Sequence, residues 1–134
     1  MKYLLDTDTC IAVLRGEEAA VSRLGLESPD DIGISSITRY ELLYGVERCD
    51  SARRLKEKRK VERFLEAIHE IPFFRDTARL AATIRRALEK EGFPIGPMDL
   101  LIAATARESG LTVITGNLAE FSRVPRLTCE TWRD

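Results

Sequence analysis

Three acidic residues stand where a chain would carry charge toward a buried place. Asp6 follows the apolar run Tyr3-Leu4-Leu5 and opens "DTDTC"; Glu41 lies in "SSITRYELLYG"; Asp99 lies in "GPMDLLIAATA", just behind Pro97. A carboxylate in the first turn of a helix faces the positive end of the helix dipole, which favours its ionised form. Ionised carboxylates with free lone pairs suit a hard divalent cation. Each acid also has a plainer reading. Asp6 could cap the following helix, Glu41 could close a capping box with Thr38, and Asp99 could only satisfy the dipole. Asp6 has a third reading as a phosphate-accepting nucleophile with Asp8 as its acid/base, because the two form a D-x-D opening.

These acids can meet only if the elements carrying them converge. The pattern predicts strands over 2–5, 32–35, 70–73 and 111–115, and an edge strand over 127–132. Helices are expected over 9–15 (capped by Thr7 or Asp8), 17–27, 37–49 (capped by Ser36) and 51–67. Two more are expected over 76–90 (capped by Asp76) and 97–109. Gly16 and Gly110 fall just past helix ends, as C-terminal caps do. Leu100, Leu101, Ile102, Ala103, Ala104 and Ala106 make the last of these helices apolar nearly all round, hence central. Short strands alternating with helices predict an α/β domain with a mainly parallel sheet covered on both faces. In such sheets ligands bind beyond the carboxyl ends of the strands. Asp6 and Asn117 both directly follow predicted strands, so both are expected at that edge.

The bulk composition narrows the function. The 134 residues fit one domain, 1–134, and the 44% hydrophobic share suffices for a core. The net charge of -1 advertises no polyanionic partner, so any nucleic-acid site must come from local clustering. No apolar stretch approaches the ~20 residues of a membrane span, and Asp6 and Asp8 interrupt the build of a signal peptide. Cys10, Cys49 and Cys129 contain no C-x-x-C pair and read as reduced thiols of a cytoplasmic protein. The single histidine, His69, excludes a multi-histidine metal site and reads as structural or exposed.

The chain resembles the PIN-domain ribonucleases, and within them the VapC-type toxins of toxin–antitoxin pairs. "YLLDTDTCIAVLRG", "ISSITRYELLYGV", "FPIGPMDLLIAATA" and "LTVITGNLAEFSRVPRL" followed by "ETW" are similar to that family's segments, in order and over nearly the whole chain. The resemblance implies a PIN-like three-layer α/β/α fold and an endoribonuclease using Mg²⁺, with Mn²⁺ possible. It makes Asp6, Glu41 and Asp99 the acidic, metal-binding core. The family's fourth acidic position falls on Asn117, which brings an amide oxygen and no charge; Glu120, three residues on, is its potential substitute. Thr7 and Thr115 read as positioners of a carboxylate or phosphate oxygen.

The same resemblance implies an RNA substrate, a homodimer and a VapB-type antitoxin, with larger toxin–antitoxin assemblies conceivable. Ile11, Val13, Leu14, Leu42 and Tyr44 are candidates for the groove such an antitoxin would cover. The segment 49–63 carries seven Arg or Lys among 15 residues. Arg53, Arg54, Lys56, Lys58, Arg59 and Lys60 are its candidates for phosphate contact, and Arg123 and Arg126 form a second basic feature. Two alternatives stay open. The D-x-D opening resembles the D-x-D-x-T start of haloacid-dehalogenase-like phosphatases, although Cys10 stands at the threonine position and no paired aspartates follow Asp31. Asn117 would suit a catalytically weak PIN-like binding module. In the favoured reading Asp8 caps the first helix.

Overall fold

The computed structural model describes residues 1–133. Among them, five short strands form one parallel sheet. They are β1 (Tyr3–Leu5), β2 (Ile32–Ser35), β3 (His69–Ile71), β4 (Thr112–Ile114) and β5 (Cys129–Glu130), in the order β3-β2-β1-β4-β5. The helices are α1 (Thr7–Leu14), α2 (Glu18–Gly25), α3 (Ser36–Arg48), α4 (Ser51–Ala67), α5 (Arg75–Lys90), α6 (Pro97–Ser109) and α7 (Leu118–Phe121).

Strand periodicity builds the layers, because successive side chains leave a strand on opposite faces. Leu4 and Val113 enter a core with Ile84 and Leu88 of α5 and Ile102 and Ala103 of α6. Their neighbours Leu5 and Ile114 enter the other core, with Cys10 of α1, Leu42 and Val46 of α3, and Val61 and Leu65 of α4. The result is the expected three-layer α/β/α arrangement. No helix among the described residues is long and apolar enough to cross a membrane.

The strand order also places the site. From β1 the chain builds outward through β2 and β3 on one side, then returns to add β4 and β5 on the other. A crevice therefore opens at the carboxyl ends of β1 and β4, where the winding reverses and open α/β sheets bind ligands.

Several boundaries differ from the sequence reading. Asp6, not Thr7 or Asp8, caps α1: its backbone is extended and its carboxylate accepts from Thr7 N. Ser35, not Ser36, caps α3, accepting from Thr38 N at 3.0 Å. Strand β3 ends at Ile71 because Pro72 follows, and proline has no N–H to give to a ladder. Asp76 lies inside the first turn of α5, whose start is closed by Phe74 N donating to Thr77 Oγ1. Strand β5 is shorter than the predicted 127–132 and pairs only with β4. His69 is exposed and faces Asp30 at 3.4 Å.

Candidate active site

Asp6 is the innermost acid. It terminates β1, and its N–H extends the ladder to Ile114 O at 2.8 Å. Its side chain is only 4% exposed. Oδ1 accepts from Thr7 N at 2.8 Å and Oδ2 from the Thr115 hydroxyl at 2.7 Å. Thr115 follows β4, so the two central strands deliver an acid and its donor to one point. Burial pushes the Asp6 carboxyl up to about 7; the Thr115 bond opposes this, and the charges of Asp8 and Asp99 add to it.

Glu41 reaches the crevice from the second turn of α3. The Thr7 hydroxyl donates to its Oε1 at 2.5 Å, and Thr7 Oγ1 lies 3.1 Å from Thr38 Oγ1. Thr38 is fully buried and spends its N–H on Ser35, so it forms no capping box with Glu41. It backs Thr7 instead. The signal for this was present in the one-turn spacing of Thr38 and Glu41, which puts both on one helix face.

Asp99 sits in the first turn of α6, beside α7. Asn117 Nδ2 donates to Asp99 Oδ2 at 3.0 Å and to Glu120 Oε2 at 2.5 Å. Glu120 Oε1 accepts from Gly96 N at 3.1 Å. Burial pushes Asp99 up to about 7, aided by the hydrogen bond and charge of Glu120 and opposed by Asn117; Glu41 adds a further repulsion. Glu120 shifts the other way, held below its ordinary value by its hydrogen bond with Asp99. Asn117 and Glu120 do not compete for one position: the amide ties the two carboxyl groups together.

The structure thus brings together Asp6, Glu41, Asp99, Asn117 and Glu120, with Thr7 and Thr115 as positioners. Asp8 does not cap α1. Its Oδ2 accepts from Gly116 N at 2.9 Å and faces Arg133 Nη1 at 4.0 Å. That engagement ties up one oxygen of the acid/base that a phosphatase reading needs, and Cys10 stands where the D-x-D-x-T motif has threonine. Among the described residues, no three Asp, Glu, His or Cys side chains converge tightly enough to enclose a cation. Thr7 occupies one oxygen of Glu41, and the Asn117 amide occupies oxygens of Asp99 and Glu120. The donor set is nonetheless all carboxylate oxygen, and two of its members are raised toward neutrality by burial and mutual repulsion. Such a set suits a hard cation, which would relieve that repulsion.

A groove of about 950 Å³ runs from Thr7, Glu41 and Met98 between α1, α3 and α4. Ile11, Leu14, Leu42 and Tyr44 line it as expected; Val13 is not among its lining residues. Of the basic candidates, Arg53 and Lys60 line the groove. Lys56, Lys58 and Arg59 are exposed on α4. Arg54 is diverted, donating through Nη2 to Cys49 O at 3.0 Å and Glu47 O at 3.2 Å at the end of α3. Arg123 donates to Pro94 O at 3.1 Å and covers the Phe93 ring, which pins the loop before α6. Arg126 is exposed, with a left-handed backbone at φ 59°. The sequence reading missed Tyr40 and Arg48. Tyr40 and Tyr44 stack one helical turn apart in the groove, and the Arg48 guanidinium lies over Tyr44.

Comparison with known proteins agrees with this fold. The family model for the PIN domain matches residues 3–127. The chain belongs to the PIN-domain family. Within that family it stands with the VapC proteins. It is 34% identical over 132 residues to the tRNA(fMet)-specific endonuclease VapC of Salmonella typhimurium, covering 98% of each chain. It is 35% identical to Ribonuclease VapC2 of Rickettsia felis, again over 98% of each. Among solved structures, DNA-bound VapBC from Salmonella typhimurium matches with a TM-score of 0.91 at 35% identity, over 98% of both chains. VapBC2 from Rickettsia felis, bound to a promoter DNA fragment, matches with a TM-score of 0.89 at 32% identity over 98% of this chain and 99% of that one.

Proposed function

We propose that this PIN-domain protein is a Mg²⁺-dependent endoribonuclease, the toxin of a type II toxin–antitoxin pair, which hydrolyses RNA phosphodiester bonds at the acidic crevice. One observation carries the reading: Asp6, Glu41, Asp99 and Glu120 meet at the strand-end crevice of a chain that aligns end to end with VapC ribonucleases.

Asp6, Asp99 and Glu41 would hold Mg²⁺, with Mn²⁺ as a substitute. When bound, the cation supplies an activated water and neutralises charge growing on the phosphate. Thr115 and Thr7 hold Asp6 and Glu41 in place. Asn117 keeps Asp99 and Glu120 together, and its bond favours the ionised form of Asp99.

Arg53, Lys56, Arg59 and Lys60 would contact phosphates along the groove, giving affinity without sequence choice. Arg123 would act at the mouth by shaping the loop before α6. The name of the Salmonella relative makes transfer RNA the first substrate to try. A VapB-type antitoxin is the expected partner, since the matching structures are VapBC complexes. We further infer a homodimer working in the cytoplasm.

The test is incubation of antitoxin-free protein with a cellular RNA pool, with Mg²⁺ or with chelator. An Asp6→Asn/Asp99→Asn variant runs alongside. Cleavage that requires both metal and carboxylates is the expected result. Cleavage that survives chelator, or survives in the double variant, would overturn the mechanism.

A further inference from the structure

The D-x-D opening leaves one acid without a part in the chemistry above. We propose that Asp8 is a positioning residue: it holds the turn 115–117 by its central amide, and Arg133 anchors it. The role rests on the proposed nuclease reading for its effect on rate, though not for its geometry.

The turn bears on three of the crevice acids. Thr115 Oγ1 donates to Asp6 Oδ2 at 2.7 Å and accepts from Asn117 N at 2.9 Å. Asn117 Nδ2 reaches both Asp99 and Glu120. Between them, Gly116 is exposed, and its N–H has no backbone acceptor among the described residues. Asp8 Oδ2 takes that N–H at 2.9 Å. That bond ties the middle of the turn to the start of α1.

Space, rather than backbone conformation, demands glycine here. Gly116 is not among the glycines with positive φ. A Cβ at this position would stand 2.7 Å from Asp8 Oδ2 and 3.4 Å from Arg133 Nη1. The glycine is thus the socket that lets the carboxylate reach the amide. Behind Asp8, Arg133 Nη1 faces Oδ2 at 4.0 Å, while Nη2 donates to Glu17 Oε1 at 3.2 Å. Arg133 is itself delivered by Trp132, which is 4% exposed and packs edge-on against Tyr3 at 5.6 Å. The C-terminal segment therefore reaches back to the strand end that carries the acids.

Two readouts test the clamp on the full chain. In NMR, the Gly116 amide proton is expected downfield and slow to exchange in wild type and in Asp8→Asn, which keeps an acceptor oxygen. Both features are lost in Asp8→Ala. In RNA cleavage, Asp8→Ala lowers kcat about 10- to 100-fold with KM little changed, and Asp8→Asn restores most of the loss. Gly116→Ala displaces the carboxylate and mimics Asp8→Ala. The double variant is no worse than either single one, because both break the same contact. Arg133→Ala acts in the same direction and more weakly.

Equal Gly116 resonances in wild type and Asp8→Ala would overturn the clamp, as would additive losses in the double variant. An Asp8→Asn variant as impaired as Asp8→Ala would also overturn it, assigning the effect to charge instead. If wild type cleaves no RNA, the nuclease reading fails, and the amide resonance still decides the clamp.

Discussion

On the β1 side of the crevice, Asp6 is 4% exposed and takes its hydrogen bonds from the Thr7 backbone and the Thr115 hydroxyl. On the α6 side, Asp99 and Glu120 are partly exposed and share a single amide, that of Asn117. Both sides contain a carboxyl raised to about 7, and burial leads the causes in each. The remaining causes differ. Asp6 is stabilised by fixed donors and disturbed by the charges of Asp8 and Asp99. Asp99 is disturbed by the adjacent Glu120 carboxyl and steadied by the Asn117 amide. One side fixes a single buried acid with two donors, and the other ties two partly exposed acids together through one amide.

The largest expected effect follows from removing the fixed charge. Asp6→Asn should lower RNA cleavage by at least about 10²-fold. It should also raise the thermal midpoint of the metal-free protein above about pH 7, because it removes a buried charge that has no cationic partner. A variant that loses both activity and metal-free stability would erase the distinction between the two sides.

The next test is pH. The ordinary value for Asp6 is 3.8 and its folded value is about 7. Between these, the folded chain binds more protons than the unfolded chain, so stability falls as pH rises. Asp99 contributes with the same sign. In chelator, Asp6 and Asp99 should lower the unfolding midpoint as pH rises toward 7, while Glu120, held below its ordinary 4.5, acts with the opposite sign at the acidic end. Mg²⁺ should flatten the decline by replacing the protons. A midpoint that climbs across this range would show that the acids are compensated in a way the crevice does not contain.

A matched pair of donor deletions compares the sides directly. Thr115→Val strands a buried carboxylate oxygen and should cost about 1–3 kcal/mol in chemical denaturation. Asn117→Ala opens its carboxyls to water and should cost less than about 1.5 kcal/mol. Asn117→Ala should also move the acidic limb of the pH–rate profile upward, since the Asn117 bond lowers the Asp99 value. Equal stability costs would mean that burial does not separate the two sides.

The smallest effects belong to the groove. Arg53→Ala should weaken RNA binding and reduce the slope of log affinity against log salt by about 0.7. Arg54→Ala should leave that slope unchanged and destabilise the end of α3, because its guanidinium is spent on the Glu47 and Cys49 carbonyls. A salt slope that responds to Arg54 and not to Arg53 would reverse their assignment.

What was legible in advance depended on local pattern. The short apolar strands and the apolar α6 follow from short-range chemistry and yielded the layered fold, while the family resemblance singled out Asp6, Glu41 and Asp99 among the acids. Cap assignments slipped by a residue or two, because Asp6, Thr7 and Asp8, or Ser35 and Ser36, offer equivalent oxygens to the same helix start. The basic segment 53–60 read as one patch. Its division into groove-lining Arg53 and Lys60 and the cap-forming Arg54 depends on where α3 ends against α4.

By itself, the sequence determined which residues could carry charge to the strand ends, because side-chain type and periodicity act within a few residues. Only the tertiary structure decided their partners. Thr7 meets Glu41 across 34 positions, Thr115 meets Asp6 across 109, and Asp8 finds Gly116 across 108. A parallel sheet must close long crossovers before its strand ends become neighbours, so no local pattern records which donor each acid receives.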